Sequence, residues 1–233
     1  HLLRAVEVDP EYARAHRLVG FAHLQLNDPT AAVQALANAN CLDPEDAEAS
    51  YGLGLAHMRL GDLAAARARF GEAIDRDRLH AKSHLALGNC LMRLGEVEEG
   101  RKALDTFRRL NVEAEQIAHL ERATRRDPVN AAAWAELSRI HLRREQWDDA
   151  VSTLKRHVAL DAADTKARER LGFAYFRLAR YADAADAYAA IVEREPKIAA
   201  YRNSLAGAFL MLGDAARAVE QFQAAVRLAP TDA

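Results

Sequence analysis

The side chains best suited to metal or acid–base chemistry in this sequence are its nine histidines and two cysteines. His80 and His84 have the i,i+4 spacing that places two rings on one face of a helix. No nearby carboxylate or cysteine completes a ligand set around that pair in the sequence. Cys41 and Cys90 lack the close spacing of a metal-binding pair, so they are expected to remain unpaired thiols. We therefore predict no metal centre.

Motifs for nucleotide binding and nucleophilic catalysis are missing from the sequence. Gly52-Leu53-Gly54 lacks the later glycine and the preceding strand of a dinucleotide-binding loop, and there is no phosphate-binding loop or nucleophile elbow. The formal net charge is −2, with acidic and basic residues interspersed, which favours neither nucleic acid nor an anionic membrane as a partner. No apolar run is long enough to span a membrane. We expect a protein that is not an enzyme and uses no cofactor.

The prolines show how the chain is organised, because their spacing has a fixed period. Pro10 and Pro44 are 34 residues apart, as are Pro196 and Pro230, and Pro128 precedes Pro196 by 68 residues. A period of this length marks an array built from one supersecondary unit. The residue before a proline avoids the α region, so these prolines are expected to end helices.

Other residues recur with the same period. A Leu-Gly step such as Leu53-Gly54 has a counterpart or close variant in every unit, and so does a small residue followed four positions later by a bulky one, such as Ala66 and Phe70. The units are 13–46, 47–80, 81–114, 131–164, 165–198 and 199–232. These motifs resemble those of the tetratricopeptide-repeat (TPR) family over nearly the whole chain. The resemblance implies an all-α protein, an α-solenoid in which antiparallel helix pairs form a right-handed superhelix.

The resemblance also gives the histidines a structural role. His23, His57 and His141 occupy the place where the family has an aromatic residue, so we expect their rings to pack inside the array. They lie in different repeats and cannot share one metal, whose ligands sit about 2 Å away. Arginine greatly outnumbers lysine, which suggests a bacterial source with a GC-rich genome.

The predicted domain organisation is a single elongated array. Residues 13–114 and 131–233 each hold three units. Residues 1–12 match only the end of a second helix, which predicts a truncated upstream repeat. We expect helix from residue 1 and unmatched apolar surface beside Leu2 and Val6.

One break interrupts the period. Pro44 and Pro128 are separated by two periods plus 16 residues. The surplus, residues 115–130, is expected to be an extra helix or an irregular junction. Phe107, in the helix before it, stands where the family prefers a small alanine. Either an odd helix is inserted, or a stretch near residues 110–113 has been left out of the sequence.

In TPR proteins the first helices line a concave groove, and their variable positions bind the ligand. By this resemblance the groove residues are Arg17, Phe21, Gln25, Tyr51, Leu55, Arg59, Asn89, Arg93, Glu136, Arg139, Arg143, Lys166, Arg170, Phe173 and Arg177. The apolar members would anchor a peptide or helix of a partner protein, and the arginines would set its register.

Four of these arginines, Arg59, Arg93, Arg143 and Arg177, share one repeat position and allow two interpretations. They could form a rail for an acidic or C-terminal carboxylate peptide, because the guanidinium group suits bidentate carboxylate contacts. Alternatively, each could offset the dipole at the end of its helix, worth about 0.3–1 kcal/mol. The helix-end role is favoured for Arg59 and Arg93, and both roles stay open for the other two.

A carboxylate clamp for chaperone tails, known in some TPR proteins, is not predicted. Its best candidates here are Asn89, Lys166 and Arg170. Leu85 stands where the clamp needs a lysine. Glu136 stands where it needs an asparagine, and it would repel a carboxylate.

The sequence therefore favours a scaffold or adaptor that binds a protein or peptide partner. One alternative is the non-catalytic arm of a larger enzyme, for example a transferase. A second alternative is a self-assembling structural protein that associates through the ends of its array. The compartment stays open between the cytoplasm, which is slightly favoured, and the periplasm.

Overall fold

The structure, a computed structural model, describes residues 4, 6 and 8–229. Between Ala13 and Leu228 it contains twelve helices and no strand, which confirms the all-α class. The helices are α1 (Ala13–Gln25), α2 (Pro29–Leu42), α3 (Ala47–Leu60), α4 (Leu63–Arg76), α5 (Ala81–Leu94), α6 (Val97–Arg126), α7 (Ala131–Arg143), α8 (Trp147–Leu160), α9 (Thr165–Arg177), α10 (Tyr181–Arg194), α11 (Ala199–Met211) and α12 (Ala215–Leu228). The predicted apolar surface beside Leu2 falls outside the described residues.

Short turns fold successive helices into antiparallel pairs, as expected for a TPR-like solenoid. Each turn inside a pair contains one residue in the left-handed region, which ends the first helix. That residue is Asn27 (φ 57°), Gly61 (84°), Gly95 (82°), Glu145 (56°), Ala179 (56°) and Gly213 (80°) in the six units. In three turns the next residue, Asp28, Asp62 or Asp214, accepts a hydrogen bond from a backbone N–H in the first turn of the second helix.

In four of the six helix pairs between Ala13 and Leu228, glycine in the first helix allows the two helices to approach closely, and Ser138 and Ala206 take its place in the other two. A Cβ at Gly54 would lie 2.4 Å from the Phe70 ring, and one at Gly88 would lie 2.7 Å from Leu104 Cγ. Real side chains do not approach so closely, so larger residues would push the helices apart. These contacts explain why the Leu-Gly step recurs with the bulky residue of the second helix.

The chain divides into two compact units, 1–114 and 115–233, which we call the first and second units. The boundary lies inside α6, a continuous helix of 30 residues. The segment 115–130 is therefore helical as far as Arg126, but it is not a separate helix as the period suggested. The physical reason is that residues 101–126 contain neither glycine nor proline, so nothing ends the helix before Asp127-Pro128. The single array remains a prediction.

Each unit has its own core. In the first unit, the buried residues form two clusters, one centred on Leu36 and Leu53 and one on Phe70 and Cys90, with Leu55 packed against both. In the second unit, a single cluster extends from Ala150 of α8 to Ala218 of α12. Stacking of successive helix pairs thus buries apolar surface that no pair could bury alone.

Candidate functional site

The predicted aromatic anchors of the first unit pack against each other across repeats. The rings of Phe21 on α1 and Tyr51 on α3 are 6.5 Å apart, and those of Tyr51 and Phe70 are 6.0 Å apart. The ring of His80 meets Tyr51 edge-on at 5.2 Å. Phe21, Tyr51 and Leu55 are half-buried, so part of each side chain stabilises the stacking of the repeats.

Two predicted groove arginines in the first unit make intramolecular contacts. Arg17 forms an ion pair of 2.6 Å with Asp46, the residue that caps the N-terminus of α3. Arg59 donates a hydrogen bond to the carbonyl oxygen of Leu24, in the last turn of α1. This contact offsets the dipole of the neighbouring first helix rather than that of its own helix. Gln25, Asn89 and Arg93 are exposed.

A charged cluster that the sequence did not reveal joins α3 to α5. Glu48 lies 3.1 Å from Lys82 Nζ and 3.3 Å from His80 Nε2. Burial alone would raise the pKa of Glu48, but hydrogen bonds and charge from His80 and Lys82 outweigh it and lower that pKa. Glu48 and Lys82 are 34 residues apart, so opposite charges at one repeat position were the signal available in the sequence.

The second unit presents an aromatic and cationic group. The rings of Trp147 on α8 and Phe173 on α9 meet edge-on at 5.7 Å. The guanidinium of Arg177 lies 4.4 Å from the centre of the Trp147 ring and 6.0 Å from that of Phe173. Phe173 is nevertheless 45% exposed. The group is therefore held in place from one side and open to solvent on the other.

The basic residues predicted for the second unit fall into separate groups. Arg139 is paired with Glu136 at 2.7 Å on the surface of α7, which neutralises both charges locally. Arg143 is exposed on the same helix. On α9, Lys166 and Arg170 have no ion-pair or hydrogen-bond partner within the described part of the chain.

The histidines mostly serve the repeat architecture. The rings of His23 and His57 lie 3.6 and 3.9 Å from Asp28 and Asp62 in the turns, and His141 lies 3.3 Å from Gln146. Among the residues described, no group of three or more His, Cys, Asp or Glu side chains could hold a metal ion. Cys41 is exposed and unpaired, and Cys90 is buried and unpaired, with burial raising the pKa of its thiol.

A recurring hydrogen bond explains several other polar side chains. In five of the six repeats, a side-chain nitrogen at the fourth position of the first helix donates a hydrogen bond to the backbone carbonyl six residues earlier. The pairs are His16 to Pro10 (2.8 Å), His84 to Arg78 (3.1 Å), Trp134 to Pro128 (2.9 Å), Arg168 to Ala162 (3.4 Å) and Arg202 to Pro196 (3.1 Å). Different residue types thus perform one task, satisfying the carbonyl at the proline position of the preceding turn. Sequence reasoning missed this role because the residue type changes while the donor nitrogen is kept.

Among the described helices, none combines the length and the apolar character of a membrane-spanning segment.

Two family models, both described as tetratricopeptide repeat, match the sequence. One matches residues 1–39, 51–111, 117–165 and 170–233, and the other matches residues 23–78.

Solved structures similar to this chain include YrrB, described as a TPR protein with an unusual peptide-binding site. The identity is 20% and the TM-score 0.42, over 86% of this chain and 95% of that one. Another is MamA (MSR-1), at 22% identity and a TM-score of 0.45, over 77% of this chain and 94% of that one. None of the curated proteins matches the chain.

Proposed function

The chain belongs to the tetratricopeptide-repeat family, and from this premise we propose that it is a protein–protein interaction scaffold whose first helices bind a peptide or helix of a partner. The observation that carries this proposal is the stripe on α9. Lys166, Arg170, Phe173 and Arg177 follow each other at intervals of four, three and four residues, which places them along one face of the helix.

The chemistry of the stripe favours an acidic segment with an apolar side chain. Lys166 and Arg170 offer cations that no described residue neutralises, and the exposed part of Phe173 offers apolar area. Trp147 and Arg177 hold that ring in one orientation, so little side-chain entropy would be lost on binding. Glu169, on the same helix, moderates the positive charge.

The first unit would contribute a different kind of surface. Its exposed first-helix residues, Gln25, Asn89 and Arg93, can form polar contacts at the rim of a groove. Arg17 and Arg59 already hold partners within the chain. We therefore expect charge-dependent binding to reside mainly in the second unit.

The test is charge reversal on α9. Lys166→Glu with Arg170→Glu should weaken binding of a fluorescently labelled, glutamate-rich peptide that contains one phenylalanine, and should leave thermal stability unchanged. Binding to the parent should weaken as salt rises, because exposed charges are screened over about 8–10 Å at physiological ionic strength.

The matched control reverses two exposed cations of α8, by Lys155→Glu with Arg156→Glu. It changes the net charge equally but lies on a second helix. Equal loss in both double variants would show that only net charge matters, and an unchanged affinity in the α9 variant would contradict the proposed site. Partners captured from a lysate with the parent should be lost with the α9 variant only.

A further inference from the structure

The three stripe residues that would contact a partner have a defined spacing along α9. Lys166, Arg170 and Phe173 lie within about 60° of each other around the helix axis, at heights of about 0, 6 and 10.5 Å along it. The ring is the fixed member, because Trp147 and Arg177 contact it from one side. A ligand that contacts all three side chains must present its own groups at matching intervals.

An α-helix lying along α9 matches these intervals, whereas an extended chain matches only part of them. Residues i, i+4 and i+7 of a helix share one face and have the same rise of about 1.5 Å per residue as α9. On one side of an extended chain, side chains recur about every 6.6–6.8 Å. The second of them would lie opposite Arg170, but the third would lie about 3 Å beyond the height of Phe173. The spacing of the stripe therefore favours a helical ligand.

The neighbouring first helix, α11, leaves room beside the stripe. Among the described residues, α9 and α11 make no contact comparable to that between α1 and α3. The residues of α11 one period after the stripe are Ala200, Ser204 and Gly207, all small, and a Cβ added at Gly207 would meet nothing within 4 Å. This helix also contains no acidic residue that would repel a carboxylate. A ligand helix about 10 Å across can therefore lie beside α9 on this side.

We propose that the partner segment is an α-helix running parallel to α9, with two acidic residues four positions apart and an apolar residue three positions after the second. The inference rests on the proposed groove function and gives that groove a ligand motif. The first acidic residue would pair with Lys166 and the second with Arg170, which have no ion-pair or hydrogen-bond partner within the described part of the chain. The apolar residue would cover the exposed part of Phe173.

The parallel direction follows from the charges at the helix ends. Lys166 is the second residue of α9, so the partner's first carboxylate would lie beside the positive end of the α9 dipole. In a parallel helix the acidic pair precedes the apolar residue and lies toward that helix's own N-terminus, where acidic residues stabilise it. In an antiparallel helix the same pair would lie toward the C-terminus and would destabilise it.

Three labelled peptides of equal net charge test the spacing and the direction by fluorescence anisotropy. The forward peptide has glutamates at i and i+4 and phenylalanine at i+7, and the reversed peptide has phenylalanine at i and glutamates at i+3 and i+7. Both are helix-stabilised, because short free helices are marginal in water. The alternating peptide has glutamates at i and i+2 and phenylalanine at i+4, and is left unstabilised. The parent should bind the forward peptide at least about fivefold more tightly than either of the others.

Double-mutant cycles identify which groups meet. Arg170→Gln should weaken the forward peptide about two- to fivefold, and should have no further effect once the peptide's second glutamate is replaced by glutamine. Lys166→Gln should couple in the same way to the first glutamate only, and Phe173→Ala should couple to the peptide's phenylalanine. Lys155→Gln, which removes an exposed cation of α8, is the matched control and should bind like the parent. Thermal unfolding of each variant verifies that the fold is kept.

Three outcomes would overturn this inference. The three peptides could bind equally well, the cycles could show no coupling, or Arg170 could couple to the first glutamate and Lys166 to the second, which would reverse the direction. The groove function is judged by a different result. If the three peptides bind alike but lose affinity in the variant Lys166→Glu with Arg170→Glu, the groove function stands and only the helical motif fails.

Discussion

In the first unit, side chains of successive first helices bind each other, whereas in the second unit the corresponding surface holds cations and an aromatic ring that face solvent. Arg17 is paired with Asp46 and Glu48 with Lys82, both across repeats. On α9 of the second unit, Lys166 and Arg170 have no such partner within the described residues. The same surface of a repeat can therefore connect neighbouring repeats, as in the first unit, or remain without such contacts, as on α9.

The packing of the second helices suggests a cause for this difference. In the first unit, α1 lies against α3 and α3 against α5, and the second unit shows no comparable contact between its described first helices. At one repeat position the first unit has the fully buried Ala39 and Ala73, while the second has the bulkier His157 and Ile191. We attribute the lack of comparable contact to these larger side chains, which would hold the following first helix further away.

The largest expected loss of stability is at Phe70, and it can be compared with the loss at Phe222, which has the same repeat position. Phe70→Ala should cost about 3–5 kcal/mol, because Phe70 is fully buried. Phe222→Ala should cost about 1 kcal/mol or less, because its ring is partly in water. Equal costs would contradict the difference in burial between the two rings.

The unfolding of the two units can be followed with different spectroscopic signals. Its two tryptophans, Trp134 and Trp147, both lie in the second unit. Tryptophan fluorescence during urea unfolding therefore reports the second unit, and far-UV circular dichroism reports both. The Phe70 variant should shift the dichroism transition more than the fluorescence transition, and the Phe222 variant should do the reverse.

We expect packing inside a helix pair to be equally tight in both units. Gly88→Leu in the first unit and Gly172→Leu in the second should each cost about 1–3 kcal/mol, since added atoms meet Leu104 and Tyr188 at under 3 Å. The matched controls are Gly71→Ala and Gly207→Ala, where an added Cβ meets nothing within 4 Å. Both controls should be neutral or stabilise by about 0.5–1 kcal/mol. A harmless change at Gly88 would contradict its role at the helix contact.

Much of the pair geometry could be predicted from the sequence because it depends on local, periodic signals. Within each stretch of three repeats, the glycine of the tight contact or a small replacement recurs every 34 residues, and so does the bulky residue opposite it, as Gly54 and Phe70 illustrate. The turns inside the helix pairs follow the same period. In three of them, however, Asn27, Glu145 and Ala179 adopt the left-handed conformation in place of glycine. The continuity of α6 does not follow from the proline period; its signal in the sequence is the absence of glycine and proline from residues 101–126.

The candidate site was harder to predict, because side-chain partners depend on how neighbouring helices are rotated and spaced. The repeat pattern alone placed the candidate residues on the first helices. The sequence did not show that Arg59 reaches the carbonyl of Leu24, or that Arg177 lies on Trp147. These contacts decide which arginines stay free of partners within the chain, and they depend on the rotation of neighbouring helices, which no single repeat position encodes.

The smallest expected effect tests the paired charges of the first unit against the unpaired ones of the second. Glu48→Gln should lower stability at neutral pH by about 0.2–1 kcal/mol, the range for partly exposed ion pairs. Lys166→Gln should leave stability unchanged, because its cation has no partner to lose.

The effect of Glu48→Gln on stability should also depend on pH in a defined direction. Its pKa in the folded chain is lowered from an ordinary value of 4.5, so its contribution is fully present above that value. The contribution is lost as the pH falls through the lowered pKa, and parent and Glu48→Gln should then unfold alike. Urea titrations followed by circular dichroism between pH 7 and about 3 measure this convergence. A constant difference across that range would show that Glu48 acts through packing rather than charge, and paired charges would then contribute less to the stability of the first unit.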